Sequence, residues 1–274
     1  METILVPTDF SDASANAVDY AVELAKFFDA KLLLVNAYSI PIGNAEIGIP
    51  MELASVMQQS ALDGLENMKK KIIEKNHREL DIECFAGVGF AYDVIKDASA
   101  NFKADLIVMG IVGSAGKIKE HLIGSTAVKV ARHLEIPTFI IPENVKYQRI
   151  HHISFACDME KTEETVLVYI AKYFSRMFDA ELEIVNIEKP EEEISEGKAK
   201  TEVFMEKKLE PVTHKTVFIT GDHVARELET YFETHPTDLI MLNPKKHNVF
   251  HDIFIESVTK ELAFHIHQPI LAIH

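Results

Sequence analysis

The sequence predicts an α/β protein of two tandem domains, each an open parallel five-stranded sheet flanked by helices. Three observations carry this reading. Apolar strand-like runs alternate with amphipathic helical segments, the pattern of parallel strands joined by helical crossovers. Those runs are nearly all apolar, as a sheet covered on both faces requires. The whole series also occurs twice: "FDAKLLLVN", Phe28 to Asn36, returns as "FDAELEIVN", Phe178 to Asn186. A chain of 274 residues accommodates two domains of common size. The polar stretch "PENVKYQR", Pro142 to Arg149, separates a final strand from a fresh first one and places the domains at 1–145 and 148–274.

The elements follow in matched order. "TILVPTDF" and "IHHISFACD" are first strands closing on Asp9 and Asp158. A helix follows each. Val18, Ala21, Val22, Ala25 and Phe28 fall on one face of the first, and Leu167, Ile170, Ala171, Phe174, Met177 and Phe178 on one face of the second, at spacings of three and four. The repeated stretch then supplies a helix end, a tight turn and the second strand. A long helix is predicted near Met51 to Asn76, with a shorter, more polar counterpart near Ser195 to Leu209. Third strands are "DIECFAG" and "KTVFITG", fourth strands "ADLIVMG" and "TDLIMLN", and last strands "IPTFIIPE" and "QPILAIH", with helices between them. The copies differ after their second strands. "SIPIGNAEIGIPMEL" has the composition of a flap over a site, whereas "EKPEEEISEGKAK" reads as an acidic, solvated loop.

Bulk properties exclude several classes. The net charge of −15 opposes non-specific binding to nucleic acid or an anionic membrane. Any phosphate must therefore be held by local backbone donors. No apolar run reaches the roughly 18 residues of a membrane span, and the start of the chain lacks the features of a signal peptide. Cys84 and Cys157 fall in predicted strands and read as reduced and buried, which points to the cytoplasm. The 13 histidines, among them His151, His152, His247, His251, His265, His267 and His274, have no companion ligands that complete a metal site. They read as surface residues.

The candidate chemistry lies at the carboxyl ends of the strands, where open parallel sheets bind ligands. Pro7, Thr8 and Asp9 follow the first strand, and Ala37 follows the second. After the fourth strand comes "GIVGSAGKIKEHLIGSTAVKV", with Gly110, Gly113, Gly116 and Gly124. Glycines allow close backbone approach to a ligand. Gly124, Ser125 and Thr126 open a helix, whose free amides and positive dipole end suit an anion. Taken alone, the same pattern is also that of a tight turn with an ordinary serine cap.

"ILVPTDFS", "ADLIVMG" and the Gly110-x-x-Gly113 to Gly124-Ser125 loop together resemble the universal stress protein family, and the resemblance extends over both halves as a tandem member. It implies a Rossmann-like (adenine nucleotide alpha hydrolase-like) fold and, for the first half, ATP, AMP or ADP as ligand, with or without Mg2+. In the ATP-binding branch the aspartate after the first strand lies near the ribose, so Asp9 takes that role with Pro7 and Thr8 beside it. Ala37 would meet adenine through its backbone. Met109, Gly110, Val112, Gly113, Ser114, Gly116, Lys117, Gly124, Ser125 and Thr126 would hold ribose and phosphates. Ten residues separate Gly113 from Gly124, one more than the family pattern Gly-x2-Gly-x9-Gly-Ser/Thr. Lys117 near the phosphates leaves slow ATP hydrolysis open, although no catalytic constellation stands out.

The second copy has lost this pattern. Gly110 corresponds to Asn243, Gly113 to Lys246 and Gly124 to Glu256, while Ser125 is matched by Ser257. The expectation is a stress-related adenine-nucleotide-binding regulatory module in the first half and a degenerate scaffold in the second. The apolar last strands are expected to pair between the two domains, as such edges do in the family, and leave room for a homodimer. The alternative classes are a structural or interaction protein without nucleotide, and a weak ATPase.

Overall fold

A computed structural model describes residues 1–40, 51–76, 80–111, 125–157, 164–188, 205–235, 237–244 and 268–274. The chain forms two compact units that part between Tyr147 and Gln148.

The first unit runs β1 (Thr3–Pro7), α1 (Asp12–Phe28), β2 (Lys31–Tyr38), α2 (Met51–Asn76), β3 (Ile82–Val88), α3 (Ala91–Asn101), β4 (Leu106–Ile111), α4 (Ser125–His133), β5 (Thr138–Pro142). Its strands are parallel in the order β3-β2-β1-β4-β5. The order reverses between β1 and β4, so the crevice for a ligand opens beyond their carboxyl ends. One face of the sheet contributes Leu5, Leu33, Val35, Ile107 and Met109 to a core closed by Val94, Ile95 and Ala98 of α3 and Ala127 and Val130 of α4. The alternate residues Ile4, Val6, Leu32, Leu34 and Val108 are also buried, the consequence of helices on both faces.

The second unit runs β6 (His152–Ala156), α5 (Glu164–Phe178), β7 (Glu181–Glu188), β8 (His214–Thr220), α6 (Val224–Thr234), β9 (Leu239–Leu242), β10 (Ile270–Ala272), with residues 205–209 helical before β8. Its parallel order, β8-β7-β6-β9-β10, reproduces that of the first unit.

The repeated "FDA" has a local cause. Asp29 and Asp179 sit in the left-handed region, at φ of 52° and 55°. Aspartate tolerates this conformation better than most residues. The following alanine amides donate to carbonyls five residues back, Ala30 to Ala25 at 3.0 Å and Ala180 to Ser175 at 2.9 Å. These bonds satisfy carbonyls that a helix end otherwise leaves orphaned. A second repeated device was not foreseen. Asp105 Oδ2 accepts from the amides of Glu2 and Thr3 at 2.6 and 3.0 Å, and Asp238 Oδ2 from those of His151 and His152 at 2.8 and 2.9 Å. Each aspartate ties the entry of the first strand to that of the fourth.

The cysteine expectation needs correction. Neither cysteine is in a disulfide, but each is only half-buried, and Cys157 lies just after β6 rather than within a strand. Among the described residues, no helix is long and apolar enough to cross a membrane.

Candidate functional site

The site is built on the turn between β1 and α1. Thr8, 5% exposed, continues the β1 ladder by donating its amide to Val35 O at 2.8 Å. Its hydroxyl lies 3.0 Å from Ser14 Oγ and accepts the Phe10 amide at 3.0 Å. Phe10 is left-handed, at φ 64°, a conformation that costs a non-glycine residue on the order of 1 kcal/mol. Ser11 caps α1, its hydroxyl accepting the Ser14 amide at 3.3 Å. Asn36 Nδ2 donates to Thr8 O at 2.7 Å, which fixes the turn to the end of β2.

This turn holds Asp9. Its Oδ1 accepts the Ser11 amide at 3.0 Å and the Ser11 hydroxyl at 2.5 Å. Partial burial pushes the carboxyl up, but these bonds, with a further one from Ser14, outweigh it and keep its pKa below the ordinary value. Asp9 therefore presents an exposed, oriented and ionised acceptor at the crevice. Its chemistry suits hydroxyl donors such as those of a ribose.

The other expected residues arrive from neighbouring strands. Pro7 pairs with Val35 at the end of β1. Ala37 pairs with Gly87 near the end of β2 and packs half-buried against the α3/α4-side core. Met109 is buried in that core, so only its backbone is offered to the crevice side. Gly110 faces α1. A Cβ there would lie 2.3 Å from Ala13 O, so close packing of α1 on β4 already demands this glycine. Ser125 opens α4 at the carboxyl end of the sheet, with Thr126 half-buried behind it. The strand order thus gathers Pro7, Thr8, Asp9, Ala37 and Gly110 along one edge. Val112, Gly113, Ser114, Gly116, Lys117, Gly124 and the segment 41–50 lie outside the described residues, as do Asp158, Lys246, Glu256 and Ser257 of the second copy.

The stretch Asp9 to Ser14 places serines near the pocket, but their role in orienting Asp9, and that of Asn36 in fixing the turn, is not legible in the sequence. The available signal was the repeat, because Asn36 and Asn186 end both copies and both are buried.

The model for the universal stress protein family matches residues 1–142. The chain belongs to the universal stress protein family. A universal stress protein of Methanocaldococcus jannaschii is 29% identical over 148 residues, spanning 52% of this chain and 83% of that protein. Universal stress protein YxiE of Bacillus subtilis is 32% identical over 147 residues, spanning 50% of this chain and 97% of its own. The crystal structure of a universal stress protein from Archaeoglobus fulgidus covers 99% of this chain and 97% of its own, with a TM-score of 0.75 at 18% identity. That likeness is one of fold, and it extends the universal stress protein architecture to the second unit.

Proposed function

We propose that this universal stress protein is a cytoplasmic regulatory module whose first domain, residues 1–145, binds one adenine nucleotide, ATP or AMP. The observation that supports it best is Asp9, held ionised by Ser11 beside the strand-order reversal. There it is suited to accept ribose hydroxyls. The backbone at Ala37 would recognise adenine, and the loop from Gly110 to Thr126 would enclose the phosphates, with Mg2+ admitted beside them. The second domain, residues 148–274, keeps the fold and serves assembly or a partner. There Glu256 would stand where the first domain has Gly124, and the carboxylate would repel phosphate. Pairing of the last strands would cover apolar edges that otherwise invite aggregation, and a homodimer could use the same edges.

Mass analysis of small molecules released on denaturing the purified chain tests the ligand, and calorimetry with ATP and AMP tests the site. Gly124→Asp should abolish binding. Asp9→Ala should weaken it by roughly ten- to a hundredfold, the loss of a hydrogen bond to a charged group. Unchanged affinity in both variants would refute the assignment. Phosphate release within minutes would make the module a slow ATPase.

A further inference from the structure

We infer that Phe90 forms the outer wall of the base subsite in the first unit and stacks on the purine ring, an inference that rests on the nucleotide reading above. Phe90 is 83% exposed, more than any other large apolar side chain among the described residues, and Val88 beside it is 58% exposed. Both stand at the carboxyl end of β3, the edge that also carries Asp9.

Strand register gives the position. Ala37 pairs with Gly87 and Tyr38 with Val88. The Gly89 amide donates to Tyr38 O at 2.9 Å, which carries the β2–β3 pairing one residue further. Gly89, at φ 136°, then ends the pairing with β2, and Phe90 follows it as the first residue beyond that pairing and the N-cap of α3. A base recognised by the Ala37 backbone at this edge would have Phe90 as its neighbour on the β3 side.

The ring is exposed, but its backbone is fixed. Phe90 is the N-cap of α3, and its carbonyl accepts the amides of Asp93 and Val94 at 3.0 and 3.1 Å. The cap position favours Ser, Thr, Asp or Asn, whose side chains bond the first-turn amides. Phenylalanine makes no such bond here. A local rule is broken with no gain in burial, as is expected where a residue serves a functional site. Val88 and Phe90 together are apolar, with the flat Phe90 ring suited to a planar base and neither side chain carrying charge toward a phosphate. Aromatic stacking is tolerant of base identity, so Phe90 would add affinity while the Ala37 backbone selects adenine.

The chain contains no tryptophan, so Phe90→Trp installs a single reporter at the subsite. The experiment titrates full-length wild type, Phe90→Ala and Phe90→Trp with ATP and with tripolyphosphate, which lacks the base. Phe90→Ala is expected to bind ATP roughly ten- to a hundredfold more weakly and tripolyphosphate as wild type does. Phe90→Trp should retain ATP affinity, with its emission quenched by ATP and not by tripolyphosphate. Wild-type ATP affinity in Phe90→Ala, or equal quenching by both ligands, would overturn the inference and leave the nucleotide reading intact. Wild-type protein that binds no adenine nucleotide would overturn both.

Discussion

Replacing Tyr231 by phenylalanine tests a buried polar cluster that stands in the second unit where the first is aliphatic. Leu5 pairs with Leu33 in the first unit, and Ser154 pairs with Glu183 at the same register in the second. Glu183 is 8% exposed. It accepts from Ser154 Oγ at 3.0 Å and from the Tyr231 hydroxyl, and it meets Lys215 Nζ at 2.5 Å. The Tyr231 ring is itself stacked on His235 at 3.9 Å. Burial pushes the Glu183 carboxyl up, but the bonds from Lys215, Tyr231 and Ser154 outweigh it and hold the pKa below the ordinary value. Burial and the same carboxylate push the Tyr231 phenol up, so it stays a donor at neutral pH. Tyr231→Phe removes one oxygen. A hydrogen bond to a charged group contributes about 1.5–3 kcal/mol. Because Ser154 and Lys215 remain, the lower part of that range is expected, equivalent to roughly ten- to thirtyfold. Lys215→Met should cost less, about 0.2–1 kcal/mol, since the lysine side chain is 69% exposed and water screens it. A chain of two units has no single unfolding free energy, so the readout is amide hydrogen exchange of β6 and β7 peptides relative to wild type. The pH dependence has a definite sign. A depressed carboxyl pKa stabilises the fold above the ordinary value of 4.5 and loses that contribution as pH falls through the folded value. The gap between wild type and Tyr231→Phe should therefore narrow on acidification below that point. A larger effect from Lys215→Met, or a gap that does not change with pH, would refute this account.

Other expectations follow from single contacts. Burial and the Glu66 carboxylate push the Cys84 thiol up to about 11 from 9.0, so its alkylation by iodoacetamide at pH 8 should be roughly a hundredfold slower than that of an ordinary thiol, and faster in Glu66→Gln. Gly110→Ala should destabilise the first unit by about 1–3 kcal/mol through overpacking against Ala13 O, seen as a lower melting temperature without nucleotide. Asn16 donates to Pro142 O at 3.1 Å and Val145 O at 2.8 Å, and accepts from Lys146 Nζ at 2.6 Å. Asn16→Ala should speed proteolytic cleavage within residues 143–149, because it removes the side chain that ties Val145 O and Lys146 to α1, while Pro142 O keeps only the Val145 amide.

Periodicity and repetition made the order of elements legible, because helix faces and buried strands leave their spacing in the sequence. The long helix from Met51 to Asn76 and the fourth strand from Leu106 are cases where pattern alone sufficed. The site was legible as positions and not as mechanics. Asp9 and Ala37 could be placed at strand ends, but the bonds that orient Asp9 come from Ser11, itself bonded by the Ser14 amide, and both are common helix-start residues with no distinguishing spacing. Gly110 was read toward a ligand, while the structure supplies a packing reason for it in Ala13. A glycine required by two surfaces carries one letter for both.

The second repeat keeps the strand order of the first while changing what its sheet buries. "FDAELEIVN" keeps the turn at Asp179 and the buried Asn186, yet it places Glu183 where Leu33 packs in the first unit. A carboxylate is tolerated there because residues distant in sequence supply it with partners. Ser154 supplies a donor from β6, Lys215 a counter-charge from β8, and Tyr231 a hydroxyl from α6 at a helix position equivalent to Ala98 of α3. The aliphatic solution in the first unit depends on close packing, whereas the polar one depends on complete satisfaction, since a buried carboxylate missing a donor destabilises more than an apolar substitute would. Single changes that interconvert the two should therefore be worse than combined ones. Glu183→Leu alone strands the Tyr231 hydroxyl, and Leu33→Glu alone buries a charge in the first unit without a partner. Ser154→Leu, Glu183→Leu and Tyr231→Ala together should restore much of what Glu183→Leu loses, measured by hydrogen exchange of β7. If the triple variant exchanges faster than Glu183→Leu, the two units are not alternative solutions to one packing problem.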